Sequence, residues 1–188
     1  MGRPRTRDAV PDMRSHIVTA ATSLFEGQGY ANTTLRQVAL AIDMTPAALY
    51  YHFPAKSDLA CALVEPYLDE LESLPMGRGE APRNAEEVCA LVGAYLDVLV
   101  RHRVVARLVS CDISLCLEDE LRPRVEAVEH QMVTALVGRR PNIERRVRGV
   151  AALGAALAGA TRLSPTPQVK EHLLATVLAA AALPEAQT

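Results

Sequence analysis

Between Thr34 and Lys56 the chain concentrates side chains that donate hydrogen bonds to oxyanions. Thr34 and Thr45 carry hydroxyls, Tyr50 and Tyr51 phenolic hydroxyls, His52 a ring N–H and Lys56 an ammonium. This set suits phosphate oxygens better than it suits bond-making chemistry. Ala47 and Ala48 carry almost no side-chain bulk; a helix so thin enters a major groove, and an alanine methyl can meet a thymine methyl. The combination points to duplex DNA as a partner. Catalytic patterns are missing from the string: it holds no Ser/His/Asp order, GxSxG, P-loop or dinucleotide glycine motif, so an enzyme is not expected.

Local signals define the elements that position these groups. Thr34 and Gln37 form a capping box, hydroxyl and amide each satisfying a free N–H of a first helical turn. Leu35, Val38 and Ala39 give that helix a buried side, and Asp43 marks a tight break. Thr45 caps a second helix with Pro46 at its first position, where a missing N–H costs nothing. Leu49 and Phe53 face inward and Pro54 ends it. Two helices of roughly eight residues joined by a turn of about three make a helix-turn-helix. An amphipathic helix precedes them, capped by Asp12, striped by Ile17, Ala21, Leu24 and Phe25, and stopped by Gly27 and Gly29.

The string Gly29-Tyr30…Thr33-Thr34-Leu35…Val38-Ala39…Leu49-Tyr50-Tyr51-His52-Phe53…Lys56-Ser57-Asp58-Leu59 resembles the DNA-binding signature of TetR-family transcriptional regulators. The remainder resembles the family only in being helical and of suitable length. The resemblance implies that Thr34, Tyr50, His52 and Lys56 match phosphate-contacting positions. Thr45, Pro46, Ala47, Ala48 and Tyr51 would lie on the recognition helix, and Arg36 matches a position that reaches a base in some members. Two departures stand out. Asp43 replaces a frequent glycine, and Pro46-Ala47 replaces a common Lys or Gln followed by Gly. Base readout would then lean on apolar contacts and Arg36. The resemblance also implies a ligand-responsive regulator, a repressor released from a palindromic operator when a small molecule binds.

The rest of the 188 residues sets the frame. Hydrophobic residues make up 49% and aromatics 4%, with no Trp, which favours an all-α fold; the periodicity predicts about nine helices and no strand. The expected division is a basic arm over 1–11, a helix-turn-helix domain over 12–56, and a helical effector-binding and dimerisation domain over 57–188. Arg3, Arg5 and Arg7 in the arm read either as a solvated tail or as a minor-groove contact. The chain carries net charge −2, which argues against indiscriminate nucleic-acid binding. Apolar runs fall short of the ~20 residues of a membrane span, and no signal peptide opens the chain, so the expected location is cytoplasmic.

One short reading unit makes few contacts, so a homodimer on a two-fold operator is expected. Val147, Val150, Ala151, Gly154 and Ala158 line one face of a late helix, and Leu174, Val177 and Leu178 line the next; together they form a candidate four-helix pairing surface. The middle helices offer a candidate chamber for an unidentified effector, with Leu63, Tyr67, Leu91, Tyr95, Cys111, Asp112 and His130 as candidate lining. The four cysteines are expected as small core residues rather than disulfides. No metal or cofactor is expected, because Cys111, Cys116, His102 and His130 fit no standard zinc spacing. A metal- or thiol-responsive regulator using Cys111 and Cys116, and a helical adaptor without DNA binding, are the alternatives.

Overall fold

The computed structural model describes residues 13–76, 85–116 and 118–181. Among them, nine helices of seven or more residues and one four-residue turn of helix carry the fold, with no strand: α1 (Met13–Gln28), α2 (Leu35–Ala41), α3 (Pro46–His52), α4 (Lys56–Glu72), α5 (Ala85–Arg101), α6 (Arg103–Cys111), α7 (Ile113–Cys116), α8 (Arg122–Val137), α9 (Ile143–Arg162) and α10 (Pro167–Ala181). Two compact units divide the chain, Met1–Leu63 and Val64–Thr188. The arm over 1–11 and the Asp12 cap lie outside the described residues.

The first unit closes around side chains from its helices. Ile17, Phe25, Val38, Leu49, Phe53 and Leu59 are fully buried or nearly so, and the Phe25 ring meets the edge of Tyr30 at 5.1 Å. Gly27 stays helical; α1 ends one residue later because Gly29 takes φ 84°, a region closed to most side chains. Thr33 is buried with its hydroxyl satisfied: it donates to the Gly29 carbonyl at 2.9 Å and accepts from Gln28 Nε2 at 3.0 Å.

In the second unit, α5 buries Leu91, Val92, Tyr95, Leu96 and Leu99, an apolar stripe at helical spacing. His102 makes the corner between α5 and α6. α6 stops at Cys111, because Asp112 leaves the helix and its carboxylate accepts from the Ser114 N–H at 3.1 Å. α4 runs unbroken through Pro66. Gly138 at φ 87° ends α8, and Asn142 caps α9 by accepting from the Arg145 N–H at 2.8 Å. Two glycines permit close helix contact: a Cβ at Gly159 would lie 2.1 Å from Leu173 Cδ2, and one at Gly149 would lie 2.7 Å from Val137 Cγ1. Arg124 of α8 bridges Asp69 and Glu72 of α4, at 2.7 and 2.9 Å, and these carboxylates push its guanidinium pKa up.

The cysteines correct one expectation. Cys61 is buried and Cys89 half-buried, but Cys111 is exposed, because it closes α6 at the surface. No helix among the described residues is long and apolar enough to cross a membrane.

Candidate nucleic-acid interface

The reading unit assembles as its local signals require. The Thr34 hydroxyl accepts from the Gln37 N–H at 3.2 Å, and Gln37 Oε1 accepts from the Thr34 N–H at 2.8 Å, a complete capping box. The same hydroxyl donates to Gln37 Oε1 at 2.9 Å. Thr34 is therefore exposed but already engaged by the helix it starts. Thr45 caps α3, accepting from the Ala48 N–H at 3.2 Å, with Pro46 in the first turn. Asp43 adopts φ 54° in the turn between α2 and α3. A short polar side chain tolerates that left-handed conformation better than a bulky one, which is how this chain makes the turn without glycine.

α3 is held by one face only. Leu49 is its single fully buried residue; Pro46, Ala47, Ala48, Tyr50 and Tyr51 are exposed and His52 half-buried. Tyr51 is 86% exposed and Tyr50 50%, which is costly for aromatic rings facing only water. Tyr51 and His52 meet edge to face at 5.4 Å. Arg36 on α2 is exposed as well. Thr34, Arg36 and Thr45 to His52 thus share one small unit, all of them at its surface except the buried Leu49 and the half-buried His52.

Lys56, which the resemblance assigns to a phosphate-contacting position, is already engaged within the unit. Its ammonium donates to the carbonyls of Tyr30 at 3.0 Å and Thr33 at 3.1 Å, with Ala31 at 3.5 Å, and lies 4.2 Å over the Tyr30 ring. It staples the start of α4 to the turn before α2. Arg14, which the sequence reading does not single out, plays a matching part. It stacks 4.3 Å over Phe53 and donates to the His52 carbonyl at 2.8 Å, closing the end of α3. Nothing local announces Arg14, since its target lies 38 residues away.

The second unit contains a cavity of about 360 Å³ walled by α4, α5, α6, α8 and α9. Of the expected chamber residues it uses Tyr67 and Tyr95. Leu63 is buried in the first unit and Leu91 in the α5 core. Cys111 and Asp112 end α6 away from the lining, and His130 lines a neighbouring chamber. Residues not foreseen complete the wall, among them Val109, Ser110, Val125, Glu129, Met132, Val133 and Leu157. Burial pushes the Tyr95 hydroxyl far above the ordinary phenol range, with Tyr67 and Glu129 adding to the effect, so it is a neutral donor. Glu70 hydrogen-bonds His102 at 3.0 Å and pairs with Arg101, contacts that hold its carboxyl below the usual range. No group of three His, Cys, Asp or Glu residues among those described is placed to hold a metal.

On α9, Val147, Val150, Ala151, Gly154 and Ala158 are all exposed, the stripe the spacing predicts. On α10, Leu174 and Leu178 are half-buried. Val177 is fully buried within the unit, so it serves this chain's own core and leaves the candidate pairing face.

Residues 17–63 match the model of the bacterial regulatory proteins of the tetR family. That match covers well under half of the chain. The HTH-type transcriptional regulator TcmR of Streptomyces glaucescens is 35% identical over 94 residues, covering 48% of this chain and 38% of TcmR. The match therefore spans about two fifths of that relative's length. Solved structures extend the fold likeness across the chain. The ketosteroid transcriptional regulator KstR2 of Mycobacterium tuberculosis aligns with a TM-score of 0.72 at 20% identity, covering 90% of this chain and 95% of its own. AibR, in complex with isovaleryl coenzyme A and operator DNA, aligns at 0.63 and 19% identity, covering 88% and 97%. These structures share with this chain a tetR-type fold.

Proposed function

We propose that this chain is a DNA-binding transcriptional regulator that acts as a homodimer, a repressor whose grip on a palindromic operator is released by a small molecule. The observation that carries the reading is α3: a helix that buries only Leu49 and presents Thr45, Pro46, Ala47, Ala48, Tyr50 and Tyr51 outward. Such a rod fits a major groove. In this reading Ala47, Ala48 and Tyr51 meet base edges and thymine methyls, and Arg36 reaches a base. Tyr50, His52 and Thr34 donate to phosphates. Lys56 and Arg14 hold the rod rather than touch the duplex.

A second copy is supported by the exposed α9 stripe, which as a lone surface would leave Val147 and Val150 in water. A two-fold pair would place two α3 rods about 34 Å apart, one turn of duplex. The effector reading is supported by the cavity with its two tyrosines, and by AibR, a protein of like fold whose structure contains isovaleryl coenzyme A as well as operator DNA. A ligand preferring one conformer would shift the pair away from the DNA-competent spacing.

The test is selection of duplexes from a random pool, followed by anisotropy titration of the selected sequence. Tight, salt-sensitive binding, weakened by Tyr51→Ala and Tyr50→Phe without loss of folding, is expected. A pool that yields no preferred sequence rejects the reading in favour of a helical adaptor.

A further inference from the structure

The exposed side of α9 carries charge as well as apolar surface, and the order of the two along the helix is self-complementary. Glu144, Val147, Ala151, Gly154, Ala158 and Arg162 are all exposed. They follow one another at spacings of three or four residues, so they form one stripe on a helix of 3.6 residues per turn. Apolar residues fill its middle, with an acid at one end and a base at the other, each nine residues from Leu153. The Glu144 carboxylate meets Arg148 of its own helix at 3.1 Å, an exposed contact that leaves it able to take a second cation. Arg140, Arg145 and Arg146 add three exposed cations at the start of α9 and in the turn before it. Across residues 157–166, at the other end, Arg162 is the only charged residue.

A two-fold axis can set this stripe against its copy in two directions. With the axis along the helix the copies run parallel, and Arg140, Arg145 and Arg146 come up against the same three cations of the second copy, which like-charge repulsion opposes. With the axis across the helix the copies run antiparallel, and each residue meets one equally far beyond the crossing. A crossing at the level of Ala152 and Leu153 sets Val147 opposite Ala158 of the partner subunit and Ala151 opposite Gly154 of the partner subunit, where small residues let the backbones approach. The same crossing brings Glu144 within one residue of Arg162 of the partner subunit. We infer that two copies of this chain pair with α9 antiparallel to α9, and that Glu144 of each with Arg162 of the partner subunit fixes the register from both ends. The inference rests on the homodimer reading above and adds the direction and register that it leaves open. Exposed ion pairs contribute little strength singly; here they select one register, because a slip along the helix separates both pairs at once.

Site-directed cross-linking of the full chain tests the direction. Val147→Cys and Ala158→Cys, both at exposed positions, are made singly on a Cys111→Ser background. Mixed and left to exchange, the two variants are expected to form covalent dimers with a short bis-maleimide. Each alone should form few, because antiparallel copies hold like positions about 16 Å apart. A covalent dimer from Val147→Cys alone, or none from the mixture, overturns the inference. Charge reversal tests the register by sedimentation, with folding checked by circular dichroism. Glu144→Arg and Arg162→Glu should each weaken self-association about tenfold, since both end pairs become like-charged. An equal mixture of the two, in which every end pair is again opposite in sign, should associate as tightly as the unaltered chain. Single variants that associate undiminished, or a mixture no tighter than its components, overturn the inference. An unaltered chain that sediments only as single copies rejects the homodimer reading and this inference with it, whereas a stable dimer that fails the cross-linking or charge tests rejects the inference alone.

Discussion

Replacing Lys56 with Met separates two roles that its place in the signature leaves open. The Met side chain keeps most of the stem but removes the ammonium that donates to the Tyr30 and Thr33 carbonyls at 3.0 and 3.1 Å and lies 4.2 Å over the Tyr30 ring. A net hydrogen bond involving a charged group contributes ~1.5–3 kcal/mol, and an exposed cation–π contact ~0.5–1 kcal/mol. Lys56 is half-exposed, so water can replace part of this, and a net loss of about 2–3 kcal/mol is expected. At ~2–4 °C per kcal/mol for a chain of this size, the melting midpoint should fall by roughly 4–12 °C in a far-ultraviolet circular dichroism scan. The second readout is the salt dependence of operator binding, measured well below the midpoint. A lysine that holds carbonyls releases no counterion, so the slope of log affinity against log salt should stay unchanged. A lysine on a phosphate would lower that slope by about one per copy. An unchanged midpoint together with a reduced slope would refute the stapling role.

Three further perturbations test the local physics. Asp43→Val places a β-branched residue at φ 54° on an exposed turn and should cost on the order of 1–3 kcal/mol by urea denaturation; a neutral result would mean that the turn is not left-handed. Gly159→Ala, whose new Cβ would lie 2.1 Å from Leu173 Cδ2, should destabilise by ~1–3 kcal/mol, whereas Gly154→Ala, with nothing within 4 Å, should stabilise the helix by up to ~1 kcal/mol. Glu70 has its pKa lowered by His102 and Arg101, so its contribution to stability is present above the ordinary carboxylate range and is lost as pH falls through its folded pKa. Glu70→Gln should therefore be less stable than the unaltered chain at neutral pH and converge with it in acid; a gap that persists in acid would exclude the ion pairs as its source.

The reading unit is legible in the sequence because its instructions are local. Thr34 and Gln37 lie three residues apart and cap one turn, Thr45-Pro46 starts the next helix, and Asp43 substitutes for glycine at the one left-handed position between them. Long-range partners are a different matter. Lys56 points at carbonyls 23 to 26 residues earlier, and Arg14 reaches across 38 residues to His52; no spacing rule announces either. The cavity wall depends on which face α6 turns toward α8 and α9, so Val109, Glu129 and Met132 enter it while Leu91 and Leu63 pack elsewhere. Val177 shows the same limit: its helical register with Leu174 and Leu178 is plain, yet it is the packing of α10 on α9 and α5 that buries it inside its own unit.

The most direct test of α3 as a reading element shared between two copies is footprinting of the purified chain on its selected duplex. Two protected half-sites related by a dyad and centred about 10 base pairs apart, or a multiple of that turn, are expected, with both fading together in Tyr51→Ala and Arg36→Ala. A single protected patch without a dyad, or protection that persists in those variants, would contradict it.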